Sequence, residues 1–551
     1  MKYIFLLIIS AFFTASACNA DTGKTEDRSS LFLRHLEKPR IVKSGTPQLI
    51  KLLNDESDDA RAFKAAYSSM SRPEMDAFAD SHQGHFRVHY DISGSDAPDQ
   101  ADNDLNGIPD YVDSTLVYLE YAWQLIVVDL GFGPPNYDGM QGGLRDVVDC
   151  YLKNLASQNL YGITYPDNYT GGLITAYIEI DNDFTESIYP TKGYDALKIT
   201  TAHEFFHTIH YTYYGSSDSI WWMEQSAVWL EDLAWDDVND YLNYMYFFLS
   251  ERDLPLDTSN GSFEYGATLF AQYIAQRYGE SIIRETWSSL RDNQSGKIEN
   301  FNSVLPQGLP QAISDLAVWL YFTGERANNT DFFADAGLIK NTYFPDAVTS
   351  AESKTDSLSF HHYTFKYIDI SPADGLSSGD SLSFRFIDRD GGIWKSQVIL
   401  YSSPYNYKIE QLTGNSSSFL ISRPFDRAIL VIANASQGNG NKEYNYIYSI
   451  NIVTSEGVGD EAAPEPFVLH QNYPNPFNNT STIPFTISEK SHITLKIMNM
   501  QGATVATLVD DVLYPGVYNE IFDGSGLSSG MYFYRMNIGT LEKTGKMTLM
   551  K

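Results

Sequence analysis

The spacing of apolar residues separates a helix-rich first part of the chain from a strand-rich second part. Up to about residue 348, apolar positions recur every three or four residues, which is the period of a helix with one buried face. This period predicts helices at residues 115–130, 197–214, 221–235 and 266–291. Strands are predicted at residues 85–90 and 174–180, so residues 83–348 are expected to form one α+β domain.

Beyond residue 355, apolar positions alternate with polar ones, as is typical of half-buried strands. The alternating runs are 363–370, 381–387, 396–401, 428–433 and 446–453. Gly, Ser, Asn and Asp separate them, so residues 355–454 are predicted to form an all-β sandwich. An acidic linker follows at 455–466, and residues 467–551 are predicted to form a second small β-domain.

The first 82 residues contain two further segments. Residues 1–20 combine Lys2, a short apolar run and the small residues before Cys18, which is the pattern of a signal peptide. The run is too short to span a bilayer, and we expect no transmembrane segment in the mature chain. Cys18 directly follows the expected cleavage site, so lipidation there is an alternative. Residues 21–82 are polar and helix-prone, and they fit either a propeptide or a helical extension.

Charge and cysteine content narrow the choice of partners. The chain carries 38 basic and 70 acidic residues, and a net charge of −32 argues against nucleic acid and anionic membranes as partners. It favours solubility and cation binding. With two cysteines, Cys18 and Cys150, no intrachain disulfide is possible once Cys18 is removed or lipidated. Stability outside the cell would then depend on packing and bound metal.

A candidate zinc motif lies in the predicted helix 197–214, where His203, Glu204 and His207 have the spacing His-Glu-x-x-His. Residues four apart share one helix face, so both imidazoles can bind one ion. Zinc lowers the pKa of its bound water to about 7, and Glu204 would take a proton from that water. The alternative is a partly buried helix without catalytic chemistry.

The next helix offers the third ligand. Glu224 and Glu231 are seven residues apart on one face of an otherwise apolar helix, where a charge needs a partner. We assign Glu224 to the metal and Glu231 to a position where it orients a ligand imidazole. The converse assignment is also open. His210 is expected to be structural or to support the ligands.

These two helices resemble the gluzincin zinc peptidases, whose pattern matches HEFFH at 203–207 and WWMEQSAVWLE at 221–231, with Gln225 where Gly is common. The segment FEYGA at 263–267 is similar to a segment of the same family. The family's tyrosine aligns with Phe263, so the resemblance makes Tyr265 a candidate for oxyanion stabilisation. The chain has no Gly-x-Met-Glu-Asn motif for a substrate amino terminus, which favours an endopeptidase over an aminopeptidase.

A second motif predicts a calcium loop at residues 102–113. Oxygen ligands at loop positions 1, 3, 5, 7, 9 and 12 would be Asp102, Asp104, Asn106, the Ile108 carbonyl, Asp110 and Asp113. Gly107 at position 6 permits the sharp turn. The loop resembles those of dockerins and thrombospondin repeats, and the alternative is a plain acidic turn. Residues 85–348 as a whole resemble a group of secreted bacterial metalloproteases with such a loop before the His-Glu-x-x-His motif.

The C-terminal residues closely resemble type IX secretion sorting domains. The resemblance rests on QNYPNPFN at 471–478, on Gly502 with residues 505–508, on residues 527–534 and on the ending 543–551. It implies an immunoglobulin-like β-sandwich recognised by the type IX secretion machinery. The chain would pass through the periplasm and become secreted or attached to the cell surface.

Three functions are compatible with these motifs. The first is a secreted zinc endopeptidase that hydrolyses a protein or peptide substrate by zinc-activated water, with Glu204 as general base. The second is a non-enzymatic surface adhesin or glycan-binding protein that uses the 355–454 sandwich and keeps a structural metal site. The third is an aminopeptidase. The intact His, Glu, His and Glu set favours the first.

Overall fold

The computed structural model describes most of the chain beyond the expected signal peptide. The described residues are 27–35, 43–136, 138, 147–167, 174–340, 342–349, 353–438, 442–455, 467–487, 491–513, 516–539 and 541–551. The predicted signal peptide with Cys18, and the linker apart from Ser455, lie outside them. Among the described residues, no helix combines the length and the apolar character needed to cross a bilayer.

Helices and strands follow the two-part pattern of the sequence. The α-helices are α1 (Arg28–His35), α2 (Thr46–Asn54), α3 (Asp58–Ser69), α4 (Asp110–Trp123), α5 (Gly193–Tyr213), α6 (Ile220–Ala234), α7 (Met245–Ser250), α8 (Phe263–Gly266), α9 (Leu269–Tyr278), α10 (Ser281–Asn293) and α11 (Gly308–Tyr321). The strands up to the middle of the chain are β1 (Lys43–Ser44), β2 (Ala77–Asp80), β3 (Phe86–Tyr90), β4 (Val148–Lys153), β5 (Leu160–Pro166), β6 (Ala176–Asp181) and β7 (Ala347–Val348). They continue with β8 (Ser353–Phe360), β9 (Thr364–Asp369), β10 (Ser381–Asp388), β11 (Trp394–Ser403), β12 (Asn406–Leu412), β13 (Ser416–Leu420), β14 (Arg427–Asn434) and β15 (Tyr444–Val453). The last strands are β16 (Phe467–Leu469), β17 (Thr480–Ile487), β18 (Ser491–Met498), β19 (Thr504–Leu513), β20 (Gly516–Asp523), β21 (Gly530–Ile538) and β22 (Leu541–Leu549).

The chain divides into two compact units. The first contains the described parts of residues 1–375, 385–416 and 425–449, and the second contains those of 376–384, 417–424 and 450–551. The division runs through the strands that were predicted as a separate 355–454 sandwich. The multidomain organisation is therefore confirmed, but its boundaries differ from the predicted ones.

A six-stranded mixed sheet forms the base of the first unit, with the order β1-β5-β6-β4-β3-β2. β1 runs parallel to β5, and β2 runs antiparallel to β3. Both outer strands therefore come from the segment that was expected to be a propeptide or extension. This segment is hydrogen-bonded into the sheet of the first unit, and the boundary at residue 82 stays a prediction.

The long helix α5 lies at the centre of the first unit and packs on β5, β6, α4 and α6. It is buried on nearly every side, as expected for a helix whose apolar residues surround its whole circumference. α6 begins after a capping box in which Ser216 and Ser219 bond each other's backbone. The two helices carry the predicted metal ligands on facing sides.

Two predicted helices have different bounds in the structure. α4 begins at Asp110, inside the predicted calcium loop, and continues as a π-helix at Gln124–Asp129. The predicted helix 266–291 is divided into α9 and α10 at Gly279, whose φ of 95° ends a helix at little steric cost. Because α4 begins inside the predicted calcium loop, some of the acidic residues of that loop belong to the first turn of α4. Carboxylates there interact favourably with the helix dipole.

A five-stranded sheet of order β12-β11-β14-β9-β7 belongs to the same unit. α11 packs on β9, β11 and β14, and the Tyr367 hydroxyl donates to the Ala317 carbonyl at 2.6 Å. Residues of this sheet share one apolar core with the α+β elements. Because the apolar face of α11 is covered by the sheet, the sheet is part of the first domain.

The second unit contains the two sheets of the C-terminal β-domain, ordered β16-β17-β20 and β19-β18-β21-β22. Their inner faces enclose a core that includes Phe477, Phe485 and Tyr534. Asn472 is buried and donates from Nδ2 to Ser481 Oγ at 2.8 Å. The Phe477 amide donates to the Thr548 carbonyl at 3.0 Å, so the QNYPNPFN segment is attached to the last strand.

Candidate metal centre

His203, His207 and Glu224 bring their side chains together between α5 and α6. His203 Nε2 lies 3.3 Å from Glu224 Oε2, and His207 Nε2 lies 3.1 Å from Glu224 Oε1. Both imidazole nitrogens and both carboxylate oxygens are buried and lack a hydrogen-bond partner among the described residues. Buried polar atoms are normally satisfied, so this group of four has the character of a metal donor set.

Outer contacts fix the orientation of both imidazoles. His203 Nδ1 lies 2.5 Å from Glu231 Oε1, and His207 Nδ1 lies 3.2 Å from His210 Nδ1. His210 stacks on Trp287 with ring centroids 4.2 Å apart. Such contacts hold the other ring nitrogen of each histidine toward a metal.

Burial controls the protonation of these groups. It lowers the pKa of His203, lowers the pKa of His207 to about 4 and lowers the pKa of His210 further below its ordinary value. Burial raises the pKa of Glu231 to about 8, although the neighbouring Lys43 charge opposes the rise. The imidazoles are therefore neutral, which is the form that binds metals.

Lys43 connects the N-terminal segment to this centre. Its Nζ lies 2.7 Å from Glu231 Oε2 and 2.7 Å from Asp240 Oδ2, and all three side chains are buried. Burial alone would lower the pKa of Lys43, but the two carboxylates outweigh it and raise the pKa. We call residues 43–54, which comprise β1 and α2, the strap.

The strap also reaches Glu204. Thr46 Oγ1 donates to Glu204 Oε2 at 3.2 Å, and Thr164 Oγ1 on β5 donates to the same oxygen at 2.7 Å. Gly162 makes room for this side chain, because a Cβ there would lie 2.6 Å from Glu204 Cγ. The carboxylate is thus held by two hydroxyl groups of the surrounding domain.

The centre is closed to solvent. Glu204 is 1% exposed, Glu224 is 0% exposed and Tyr265 is 3% exposed, and the two histidines are buried to a similar degree. Tyr265 lies close enough to Glu224 that the carboxylate, after burial, raises the pKa of its hydroxyl. The structure therefore brings the predicted zinc-site residues together in a buried site.

The predicted calcium residues also cluster. Carboxylate oxygens of Asp102, Asp104 and Asp110 lie within 4.8 Å of one another. Asn106 Nδ2 donates to Asp113 Oδ2 at 2.9 Å, and the Gly107 amide donates to Asp102 Oδ2 at 2.9 Å. Gly107 has a φ of 89°, as the turn at the sixth loop position requires. Ile108 follows this turn, and its amide donates to Asn106 Oδ1 at 2.7 Å.

Sequence reasoning missed the residues that close the centre. Lys43 contacts Glu231 and Thr46 contacts Glu204 from a segment that carries no motif, and Asp240 binds Lys43. Thr164, which also binds Glu204, lies in an unremarkable strand. A single lysine or threonine gives no signal of its own, and the pairing of β1 with β5 places Lys43 and Thr46 near α5 and α6.

Comparison with known proteins supports the C-terminal assignment. Residues 471–550 match the family described as the secretion system C-terminal sorting domain. The chain is therefore a secreted or cell-surface protein, and the sorting domain implies the type IX secretion machinery as a partner. No curated protein sequence matches the chain.

Solved structures that match parts of the chain include glycosidases. The β-1,2-glucanase from Parabacteroides distasonis is 10% identical with a TM-score of 0.13, and the match covers 36% of this chain and 37% of that one. The GH2 β-galacturonidase from Eisenbergiella tayi bound to galacturonate is 12% identical with a TM-score of 0.16, covering 35% and 34%. A β-glucuronidase from Ruminococcus gnavus is 11% identical with a TM-score of 0.16, covering 36% of each chain. This chain thus spans about a third of their length, and likeness at this level assigns no activity to it.

The prediction of a zinc endopeptidase is wrong. The matching structures named above are glycosidases where a peptidase was expected, and the gluzincin resemblance of the first domain has no counterpart among them. The physical reason lies in the closed centre. A catalytic zinc site keeps an open position for water and substrate, whereas Glu204 here accepts hydrogen bonds from two threonines in a buried site. The burial of Glu204 and its hydrogen bonds thus disfavour the predicted general-base role.

Proposed function

We propose that the protein is a secreted or surface-displayed binding protein whose first domain is built around a closed, structural zinc centre. The observation that carries the proposal is a set of four buried atoms on His203, His207 and Glu224 that make no hydrogen bond within the described residues and form two N···O contacts of 3.3 and 3.1 Å. Without an ion, each of these buried, unsatisfied polar atoms would lower the free energy of unfolding by roughly 1–3 kcal/mol.

The donor types fit zinc. Two neutral imidazoles and one carboxylate form a ligand set that zinc accepts, and softer metals would favour thiolates instead. His203, His207 and Glu224 would hold the ion, while Glu231 and His210 keep the imidazoles in position. A bound zinc ion would cross-link α5 to α6. Such a cross-link matters because the one cysteine among the described residues, Cys150, is free and buried.

Closure supports a structural rather than a catalytic role. The strap supplies Lys43 to Glu231 and Thr46 to Glu204, so both carboxylates that flank the ligands are engaged by one N-terminal segment. Removing the strap from this position would leave buried charges without partners, which is costly. The closed arrangement is therefore the stable one.

We extend the proposal to calcium at residues 102–113. Asp102, Asp104 and Asp110 present clustered carboxylates around a turn with Gly107 at its centre, and hard oxygen ligands at this spacing suit Ca²⁺. A calcium ion would neutralise this acidic cluster just where α4 begins. Its role would be to hold the loop and the first turn of α4 together.

The test is the metal content of the purified full chain, compared with Glu224→Gln and Glu231→Gln variants of unchanged circular dichroism. We expect about one zinc per wild-type chain and none in Glu224→Gln. Glu231→Gln should retain zinc with an affinity lowered by about 10–100-fold, because Glu231 acts through His203.

Two results would overturn the proposal. One is a folded wild-type protein that binds no zinc when the metal is supplied in excess. The other is zinc-dependent cleavage of casein that Glu204→Gln abolishes, because that result requires an open catalytic centre. Removal of zinc by a chelator should also lower the melting temperature by about 10 °C, if the ion contributes about 4 kcal/mol to stability.

A further inference from the structure

A polar groove lies away from the metal centre, between α11 and the strands β11 and β12. Its cavity volume is about 750 Å³, which lies within the range of small-molecule sites. The groove is lined by polar and aromatic side chains that include Gln276, Arg277, Asp315, Trp319, Asp331 and Gln411. All belong to the first unit. We call this cavity the amide groove.

The floor of the amide groove is a fixed network of amides and a carboxylate. Gln397 is 1% exposed, and its Nε2 donates to Ser314 Oγ at 2.7 Å and to Asp315 Oδ1 at 2.8 Å. Gln411 Nε2 donates to Gln397 Oε1 at 2.6 Å, and Gln311 Nε2 also donates to Asp315 Oδ1 at 2.8 Å. Gln397 is thus held in place by its buried neighbours, while Asp315 is half-buried and Gln411 is exposed at the surface of the groove.

Asp315 keeps one oxygen for a ligand. Both amide donors bond Oδ1, and Oδ2 receives no hydrogen bond within the part of the chain that the structure describes. A free carboxylate oxygen at a groove floor accepts hydrogen bonds from ligand hydroxyl groups. The second N–H of the Gln411 side-chain amide, in turn, requires an acceptor on the ligand.

The wall adds an aromatic side chain with a free donor. Trp319 is 9% exposed and is held by edge contacts with Tyr273 and Phe333, whose ring centroids lie 5.1 Å from its own. The Trp319 indole N–H donates no hydrogen bond to another described residue, so it is available to an acceptor in the groove.

The charges of the groove disfavour a polyanion. One arginine, Arg277, and two carboxylates, Asp315 and Asp331, line the groove in a protein whose net charge is −32. A neutral ligand that carries both donors and acceptors and offers an apolar face to an indole suits these side chains. A sugar ring meets all three conditions, because its hydroxyl groups both donate and accept while its C–H face is apolar.

We infer that the amide groove binds a neutral oligosaccharide. Asp315 accepts hydrogen bonds from ring hydroxyls, and Gln411 donates to them. Trp319 contacts the sugar from the wall. This inference goes beyond the proposed function and does not depend on zinc. It places binding in the first unit, at the contact of α11 with β11 and β12.

Calorimetric titration of the full chain tests the inference. The probes are neutral hexasaccharides of β-1,4-glucose, β-1,4-xylose, β-1,4-mannose and β-1,3-glucose, beside hexagalacturonate and a casein peptide digest. We expect at least one neutral hexasaccharide to bind with a Kd of about 1 mM or lower. Asp315→Asn and Gln411→Ala should each weaken that binding by about tenfold or more, because each removes a hydrogen bond.

Glu410→Gln is the matched control, since Glu410 adjoins Gln411 on β12 with its side chain on the opposite face. It should leave the Kd unchanged, and equal melting temperatures should show that all three variants fold. The inference is overturned if no neutral hexasaccharide binds, if only hexagalacturonate or the peptides bind, or if both groove variants bind as tightly as wild type. A zinc-free wild type that still folds and binds would separate this site from the metal centre.

Discussion

Lys43 Nζ lies 2.7 Å from Glu231 Oε2, although 188 residues separate the two along the chain. The other oxygen of Glu231 contacts His203, a proposed zinc ligand. One carboxylate thus links the N-terminal strap to the metal centre. Whatever loosens the strap should therefore affect both the stability of the domain and the retention of the ion.

The Lys43→Met variant tests this link. Removal of the ammonium leaves Glu231 and Asp240 unpaired in a buried site, and we expect the free energy of unfolding to fall by about 3–5 kcal/mol. Zinc should also pass to a chelator faster than from wild type. Urea denaturation and the rate of zinc transfer measure the two effects.

The control is Lys51→Met. Lys51 is an exposed strap residue that donates to the Ser259 carbonyl, and its substitution should change stability by less than about 1 kcal/mol. Equal stability of the two variants would refute the link.

Gly162 should tolerate no side chain. A Cβ at this position would lie 2.6 Å from Glu204 Cγ, 2.9 Å from Thr200 Cγ2 and 3.1 Å from the Glu179 carbonyl oxygen. We expect Gly162→Ala to destabilise the domain by about 1–3 kcal/mol, because the crowded atoms belong to two buried elements. Thermal denaturation is the measurement. Gly133→Ala, where a Cβ meets nothing within 4 Å, is the control, and a similar loss in both would show that packing at Gly162 is unimportant.

Calcium removal should weaken the start of α4. If Ca²⁺ contributes about 2.7 kcal/mol, EGTA should lower the melting temperature by about 5–10 °C and expose residues 102–113 to proteolysis. Asp104→Asn should reproduce part of the effect, because it removes one clustered carboxylate. Asp292→Asn, an exposed substitution at the end of α10, should not. Unchanged melting in EGTA would leave the loop as an acidic turn without an ion.

Secretion should depend on the fold of the C-terminal domain. Phe477 is buried in its core, and Phe477→Ala should cost the domain about 3–5 kcal/mol of stability. We expect cells that carry a type IX system to retain this variant, as measured by immunoblots of cell and medium fractions. Met500→Ala, which alters an exposed side chain, should be secreted normally. Normal secretion of both would show that the machinery does not read the folded domain.

Local patterns predicted the helices of the metal centre and the C-terminal domain well. The four-residue spacing of His203 and His207, and the seven-residue spacing of Glu224 and Glu231, are properties of single helices. The QNYPNPFN segment is similarly local, and the family match confirms the domain to which it belongs. A periodic sequence is enough to place such residues on one face.

The closure of the metal centre by the strap could not be predicted from local patterns. The strap meets α5 and α6 through pairs that are far apart in sequence. The apolar face of α2 indicates that this helix is partly buried, but it does not indicate which element covers it. The endopeptidase prediction failed for this reason, because the motif specifies donor atoms and says nothing about access to them. The start of α4 was misplaced since its acidic residues were assigned to the loop alone, although they also suit a helix N-terminus.

The separation between Lys43 and Glu231 has a consequence for the order of assembly. His203 and Glu231 are 28 residues apart on adjacent helices, so α5 and α6 can meet early, before long loops close. Docking of the strap requires closure across 188 residues and is entropically slower. A zinc ion held by these two helices would then be bound before the strap docks, and we expect the strap to be the last part of the centre to fold.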